Sequence, residues 1–387
     1  MKFKKYLSEK PLFYQKFDFE RMPRLYNKIK DALDTKPIIH IIGTNGKGST
    51  GRFITQLLEK EGKSVGHFSS PHIFKFNERF YKNGKDVEDE ELERAHKELQ
   101  RVLGDDIDEI SYFEYATFIA MILFRECEFW VFEAGLGGEF DSTNVLEKKL
   151  TLFTPIGLDH TNVLGDSIEK ISLTKLRAMG AVAVLNSSMD KTALHLAQDL
   201  AKQRGSKLFL ADELITKFEK EQIKNYIQKN LLAHYQESNL SLAYAGFKLL
   251  GFSGIDELGR LNIAGRLQRI SSNITIDVGH NPLCAKAIRD EIYPKKVVLV
   301  YNSFLDKDVK SVLYNLKDIV KRIEIYRYES KDRALATDKI KDIAKELDIE
   351  CLYFSSIKKD ENYLVFGSFM LVEEFLKGEF YDTSKSL

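Results

Sequence analysis

Apolar positions in this chain fall into short continuous runs separated by amphipathic stretches. Phe19 to Leu33 carries apolar residues at helical spacing, and Pro37 to Ile42 is the kind of run found in a parallel strand covered on both faces. A glycine-rich turn follows, then helical spacing from Arg52 to Glu61 with Gly62 at the expected stop, then a strand over Ser64–Ser69. Helices over Glu88–Val102 and Phe113–Cys127 precede strands at Phe129–Ala134, Leu150–Thr154 and Ala181–Leu185. Short buried strands alternating with helices predict a mostly parallel, doubly wound α/β sheet with right-handed crossovers.

Beyond the loop Gly251–Gly259 the pattern restarts. Strands are expected at Asn273–Val278, Lys296–Tyr301, Ile323–Arg327 and Tyr363–Phe366, with helices at Leu283–Ile292, Val309–Val320, Asp338–Leu347 and Phe369–Phe375. A chain of 387 residues is long for one core. The expected division is a large N-terminal domain, 1–260, and a smaller Rossmann-like α/β domain, 261–387. Ligands of open α/β sheets sit at the carboxyl ends of strands, so the residues just after each strand carry the functional expectations.

Composition narrows the partners. Lys plus Arg equals Asp plus Glu at 58 each, so no global field recruits nucleic acid or an anionic membrane. Hydrophobic residues make up 43% without a membrane-length apolar run, and the first 17 residues are basic but lack a signal-type apolar core, so the expected location is the cytoplasm. Cys127, Cys284 and Cys351 have no CxxC spacing and read as small buried hydrophobes.

The segment His40-Ile41-Ile42-Gly43-Thr44-Asn45-Gly46-Lys47-Gly48-Ser49-Thr50 joins the first strand to the next helix. Glycines let backbone N–H groups converge on phosphate oxygens, a helix N-terminus favours negative charge, Lys47 reaches the β/γ region and a hydroxyl helps hold Mg²⁺. The spacing departs from G-x-x-x-x-G-K-[ST], because two residues separate Gly43 from Gly46 and a glycine stands between Lys47 and Ser49.

Glu133 ends a strand, where a hard cation beside a phosphate loop would be held; a glutamate paired with an arginine is the competing account. After the following strand, Asp159-His160 offers a second candidate, with a hydrogen-bonded structural histidine as its alternative. Ser69-Ser70-Pro71-His72 adds a hydroxyl after the second strand, or simply a solvated turn.

Taken together, HIIGTNGKGST (40–50), FSSPHIFKFNERF (68–80), FEAGLGGEFDSTN (132–144) and TPIGLDHTNVLGDSIEKI (154–171) resemble the folylpolyglutamate synthase and dihydrofolate synthase family, relatives of the Mur peptide ligases. AGRLQRI (264–270), DVGHNP (277–282), FLDKD (304–308), RAL (333–335) and FGSFMLVEEF (366–375) extend the resemblance over nearly the whole chain. It implies that Thr44, Asn45, Gly46 and Lys47 cradle the phosphates of ATP, with Gly48 and Ser49 completing the loop. Ser70 and Glu133 would share one Mg²⁺, and His160, again with Glu133, a second. Asn239 would contact ATP, Arg266 and Asp277 would close over the nucleotide, and His280 would lie near the phosphates.

For a pterin ring the resemblance implies Asp18 and Phe19, Tyr112 and Phe113, and Phe140, Asp141 and Ser142; ordinary core packing is the alternative for the aromatics. By the resemblance, Lys175 aligns with a lysine that can be carbamylated to assist the metal, but its neighbours differ, and a simple surface lysine is the alternative. Ala264 stands where the family has proline.

The implied activity is an ATP-dependent ligase that phosphorylates a folate-type carboxylate and joins it to L-glutamate. The expected acceptors are dihydropteroate and reduced folate, and the expected enzyme is a monomer that serves both. A monofunctional synthase, a Mur-type peptide ligase and a non-catalytic nucleotide-binding regulator are the alternatives. The phosphate loop begins at residue 43, which leaves no room for the extra N-terminal domain expected of a Mur ligase.

Overall fold

The computed structural model describes residues 2–10, 18–330 and 333–379; part of the basic N-terminal stretch, 11–17, lies outside the described residues. These fall into two compact units. The first runs to Gly157 and includes Thr161–Asn230 and Gln236–Asn262; the second comprises Leu158–His160, Leu231–Tyr235 and the chain from Ile263 onward.

The first unit holds an eight-stranded sheet built from β1 (Ile38–Ile42), β2 (Val65–Phe68), β3 (Phe80–Lys82), β4 (Lys85–Asp86), β5 (Phe129–Glu133), β6 (Lys148–Phe153), β7 (Val182–Leu185) and β8 (Lys207–Leu210), in the order β4-β3-β2-β5-β1-β6-β7-β8. From β2 to β8 every pairing is parallel; β3 and β4 close one edge as an antiparallel hairpin around Asn83-Gly84. All five residues of β1 are buried, which is why its sequence is a continuous run rather than an alternation. Alternate strand residues serve opposite faces. Ile38 and Phe132 join a core with helices Arg21–Leu33, Asp89–Leu103 and Tyr112–Leu123, whereas Leu150 and Leu152 lie under Gly246 of helix Tyr235–Leu249.

The helix expected over Phe113–Cys127 stops at Leu123. The Phe124 carbonyl there accepts from the Trp130 indole (2.6 Å) and from Cys127 N (2.8 Å), turning the chain into β5.

The second unit carries β9 (Gln268–Arg269), β10 (Ile274–Asp277), β11 (Val297–Tyr301), β12 (Val320–Ile325), β13 (Cys351–Tyr353) and β14 (Tyr363–Phe366), ordered β13-β12-β11-β14-β10-β9, with only β9 antiparallel. The helix expected to reach Val320 ends at Leu316. Ile319 and Val320 are β-branched and Ile319 already accepts a ladder bond from Val297 N (2.8 Å), so the chain enters β12 earlier than helical spacing suggested. At the outer strand β13, Leu352 and Tyr353 are exposed, with the Arg327 guanidinium 3.7 Å and Lys341 Nζ 4.9 Å from the centre of the Tyr353 ring. Among the described residues no helix is long and apolar enough to cross a membrane.

Candidate active site

The phosphate loop leaves β1 at Ile42 and enters helix Lys47–Lys60 through Gly46, its N-cap, at φ +87°. Two neighbours press on it. A Cβ on Gly43 would overlap Thr154 Oγ1 and lie 2.7 Å from the Thr154 carbonyl, and one on Gly46 would overlap Asn239 Oδ1. Thr44 N (3.0 Å) and Asn45 N (3.4 Å) both donate to the Pro155 carbonyl, and Thr44 Oγ1 accepts from Gly157 N at 3.0 Å. Those two amides are thus committed to the loop after β6. The donors left for an anion are the N–H groups that open the helix, from Gly46 to Ser49, which have no partner within a helix.

Glu133 ends β5 between the loop after β1 and Ser70 after β2. Its Oε2 accepts from Ser70 N at 3.3 Å and its Oε1 lies 3.8 Å from Lys47 Nζ. Lys47 folds back on its own loop, donating to the carbonyls of Gly43 (3.3 Å) and Thr44 (3.4 Å). These are long bonds, which a phosphate oxygen can replace. Lys175 is 5% exposed, on helix Ile168–Leu176, and donates to the Gly43 carbonyl at 2.9 Å. The surface-lysine alternative therefore does not describe where it sits.

The candidate pterin residues divide. Phe19 (50% exposed) and Phe140 (56%) face each other with ring centres 4.6 Å apart. Tyr112 is buried in the core against Phe76, and Phe113 is packed partly into it beside Phe68. Asp18 Oδ1 accepts from Glu20 N and Arg21 N, both at 3.1 Å, at the start of helix Arg21–Leu33. Asp141 is buried and accepts from Leu136 N (2.8 Å) and Thr143 N (3.0 Å), capping the turn Ser142–Val145. Burial pushes its carboxyl pKa up against those hydrogen bonds.

Arg79, beyond Ser70 in the same segment, is also buried. Its guanidinium lies 5.3 Å from the Tyr112 ring centre and donates to His72 Nδ1 at 2.8 Å. Burial lowers its pKa against the opposing charges of Tyr112, Glu133 and Glu78, and among the described residues no carboxylate forms an ion pair with it.

In the second unit Asp159, His160 and His280 offer ligand atoms all within 4.8 Å of one another. Asp159 is simultaneously 2.6 Å from Lys307 Nζ and accepts from Asn281 Nδ2 at 3.1 Å. Burial works against its charge, yet His280, His160 and Lys307 hold its carboxyl well below the usual carboxylate range. Asp277 is fully engaged, accepting from Leu267 N (2.8 Å), Gly279 N (2.7 Å) and Tyr235 OH (3.2 Å). It fixes the turn that carries Arg266, whose guanidinium lies 5.4 Å from the Phe369 ring centre.

No family model matches the chain. The crystal structure of Helicobacter pylori folylpolyglutamate synthetase is 40% identical, aligned over 97% of each chain with a TM-score of 0.79. The dihydrofolate synthase/folylpolyglutamate synthase of Escherichia coli (strain K12) is 30% identical over 303 residues, 73% of this chain and 71% of that protein. The chain belongs to the dihydrofolate synthase/folylpolyglutamate synthase family. A Yersinia pestis bifunctional folylpolyglutamate synthase/dihydrofolate synthase, complexed with AMPPNP and Mn ion, has the same fold at 23% identity, with a TM-score of 0.79 over 98% of each chain.

Within the first unit of this family member, the fold gathers Lys47, Ser49, Ser70, Glu133, Lys175 and Asn239 around the loop after β1. Gln236, which sequence reasoning missed, donates from Nε2 to Ser49 Oγ (3.2 Å) and accepts from Asn239 Nδ2 (2.9 Å). It lies within the same helix as Asn239, three residues earlier, and that i, i+3 spacing was its one signal. Arg79 gave none beyond its place in FNERF.

Proposed function

We propose that this protein is an ATP-dependent ligase that adds L-glutamate to a folate carboxylate, acting on both dihydropteroate and reduced folates. The observation that carries the reading is the convergence of Lys47, Glu133 and Ser70 after three adjacent parallel strands, β1, β5 and β2, on a loop whose free N–H groups open a helix. The Yersinia relative's AMPPNP and Mn ion are the kind of pair such a site takes.

The residues present fit a divalent cation. Glu133 supplies a hard oxygen next to Ser70, whose backbone N–H donates to it, and Asp159, His160 and His280 form a second donor set, for a second ion. A bound Mg²⁺ supplies charge neutralisation at the transferring phosphoryl oxygens. The chain's own groups do the rest. Lys47 exchanges its carbonyl partners for phosphate, and the helix N–H groups hold the β-phosphate side. An acceptor carboxylate oxygen attacks the γ-phosphorus while the bond to the β,γ-bridging oxygen breaks, giving an acyl phosphate and ADP. The glutamate amine then attacks the acyl carbon, loses a proton, and phosphate departs with its bonding electron pair. Arg79, whose guanidinium has no carboxylate ion-pair partner among the described residues, can take an anionic group beside Tyr112, and Phe19 with Phe140 offers faces to a flat ring. Lys175, carbamylated, would place a further oxygen near the Gly43 carbonyl it now bonds.

Balanced charge, 58 cations against 58 anions, accords with small-molecule substrates and no nucleic-acid or membrane partner. A cytoplasmic monomer completes the reading. The test is ADP release with Mg²⁺, ATP and glutamate, adding dihydropteroate or tetrahydrofolate. Turnover with both is expected. Turnover with one alone would make it monofunctional, and silence with both from a protein that binds ATP would overturn the ligase reading.

A further inference from the structure

We propose that Gln236 is a positioning residue, setting the Ser49 hydroxyl and the Asn239 amide so that the loop after β1 can take a metal-bound nucleotide. The inference rests on the nucleotide reading of that loop and adds a residue to it.

Ser49, Gln236 and Asn239 are all within 5% of complete burial. One amide bridges the other two: Gln236 Nε2 donates to Ser49 Oγ at 3.2 Å while Gln236 Oε1 accepts from Asn239 Nδ2 at 2.9 Å. Asn239 in turn places Oδ1 against Gly46, so tightly that Gly46 has no room for a Cβ. The three side chains therefore brace the loop at both ends of the run Gly46–Ser49, the run whose N–H groups face an anion.

Two buried helices are joined more simply by apolar contacts, which carry no desolvation penalty. A polar bridge here is explained by what it orients. A serine oxygen has one proton and two lone pairs. With one lone pair occupied by the Gln236 amide, the side chain is held in one rotamer and the remaining lone pair and proton point in fixed directions. In the usual phosphate loop the hydroxyl directly after the lysine holds the nucleotide's divalent cation; here Gly48 takes that place and Ser49, one residue further on, is the first hydroxyl after Lys47. Loss of a group that orients a metal ligand typically weakens metal binding by about 10–100-fold.

The experiment uses the full-length chain with ADP and Mn²⁺ as the probe, free Mn²⁺ being read by electron paramagnetic resonance. Four proteins are compared: wild type, Gln236→Met, Ser49→Ala and the double variant. Gln236→Met is expected to raise the half-saturating Mn²⁺ concentration about tenfold. If it acts through Ser49, adding it to Ser49→Ala raises that concentration by less than about twofold further. A Gln236 that affected the site without orienting the Ser49 hydroxyl would lose the same factor in Mn²⁺ affinity on both backgrounds. Wild-type Mn²⁺ affinity in Gln236→Met, or its full factor again on the Ser49→Ala background, would overturn the proposal. Should Gln236→Met not fold, Gln236→Asn, one methylene too short to bridge, takes its place with the same expected loss, and wild-type affinity there is equally fatal. A wild-type chain that fails to bind Mn²⁺ with ADP brings down the nucleotide reading itself, and this is seen before any variant is measured.

Discussion

Replacing Gly43 with alanine isolates how closely the phosphate loop is fitted to its surroundings. At φ +153° the backbone is in a region L side chains rarely adopt, and the new Cβ would overlap Thr154 Oγ1 and stand 2.7 Å from the Thr154 carbonyl oxygen and 3.0 Å from its carbon. Rotating the threonine relieves the first clash but not the other two, which are backbone. The matched control is Gly62→Ala, at φ +72° with nothing within 4 Å of the added carbon. The control carries backbone strain alone, about 1–2 kcal/mol. Gly43→Ala adds an overpacking cost of about 1–3 kcal/mol, worth roughly 2–10 °C of melting temperature beyond the control in a unit of this size. The loop can also yield by moving β1 from the strand end before Thr154, and that shift displaces Lys47 and the helix N–H groups. Nucleotide affinity measured by isothermal titration with Mg²⁺ and ADP should then fall at least about tenfold, or 1.4 kcal/mol, in Gly43→Ala and not at all in Gly62→Ala. A Gly43→Ala protein that melts with the control and binds ADP as wild type does would refute the argument.

Lys47→Met removes two long carbonyl contacts and a 3.8 Å ion pair with the buried Glu133, so its melting temperature should fall slightly, while ADP release falls about 10²–10³-fold if the ammonium stabilises the transferring phosphoryl group; a loss of activity no larger than the loss of stability explains would contradict this. Phe19→Ala and Phe140→Ala should each raise the acceptor KM by up to about tenfold, matching an aromatic contact of about 0.5–1.5 kcal/mol, and leave the KM for ATP alone in initial-rate assays. His40 is buried on β1, with Nε2 2.8 Å from Thr143 Oγ1, and burial, aided by the charge of Lys148, pushes its pKa down to about 3. Because the folded form refuses a proton that the unfolded chain accepts below about pH 6.5, stability is full above that pH and falls as pH drops toward 3, by about 2 kcal/mol at pH 5. Urea denaturation across pH 5–7 should show a shallower slope in His40→Gln than in wild type, and identical slopes would remove His40 from the account.

The sequence exposed most where a group's role follows from its neighbours in the chain. The run Ile38–Ile42 and the glycines after it announce a buried strand feeding a helix N-terminus, and Glu133 announces itself by ending another buried strand, β5. Boundaries were less legible. Helical spacing continues through Ile319 and Val320, but the ladder bond from Val297 captures them for β12. Gln236 and Arg79 were hidden for a different reason: each is a polar residue with one buried partner far along the chain, Ser49 and Tyr112 respectively, so only the folded arrangement distinguishes them from solvated side chains. Among the aromatics, composition could not separate Tyr112, which is core, from Phe19 and Phe140, which face solvent.

The outer strand β13 bears on how the protein behaves in concentrated solution. A sheet edge with exposed Leu352 and Tyr353 is a template for pairing with another chain, but the cations of Arg327 and Lys341 sit over the Tyr353 ring, so a second copy brought edge to edge would set four positive charges together. That repulsion is electrostatic and weakens as the Debye length shrinks from about 10 Å at 0.1 M salt to about 3 Å at 1 M. Colloidal stability should accordingly be greatest in dilute buffer, and high-salt purification steps are where reversible self-association through this edge will first be seen in light scattering.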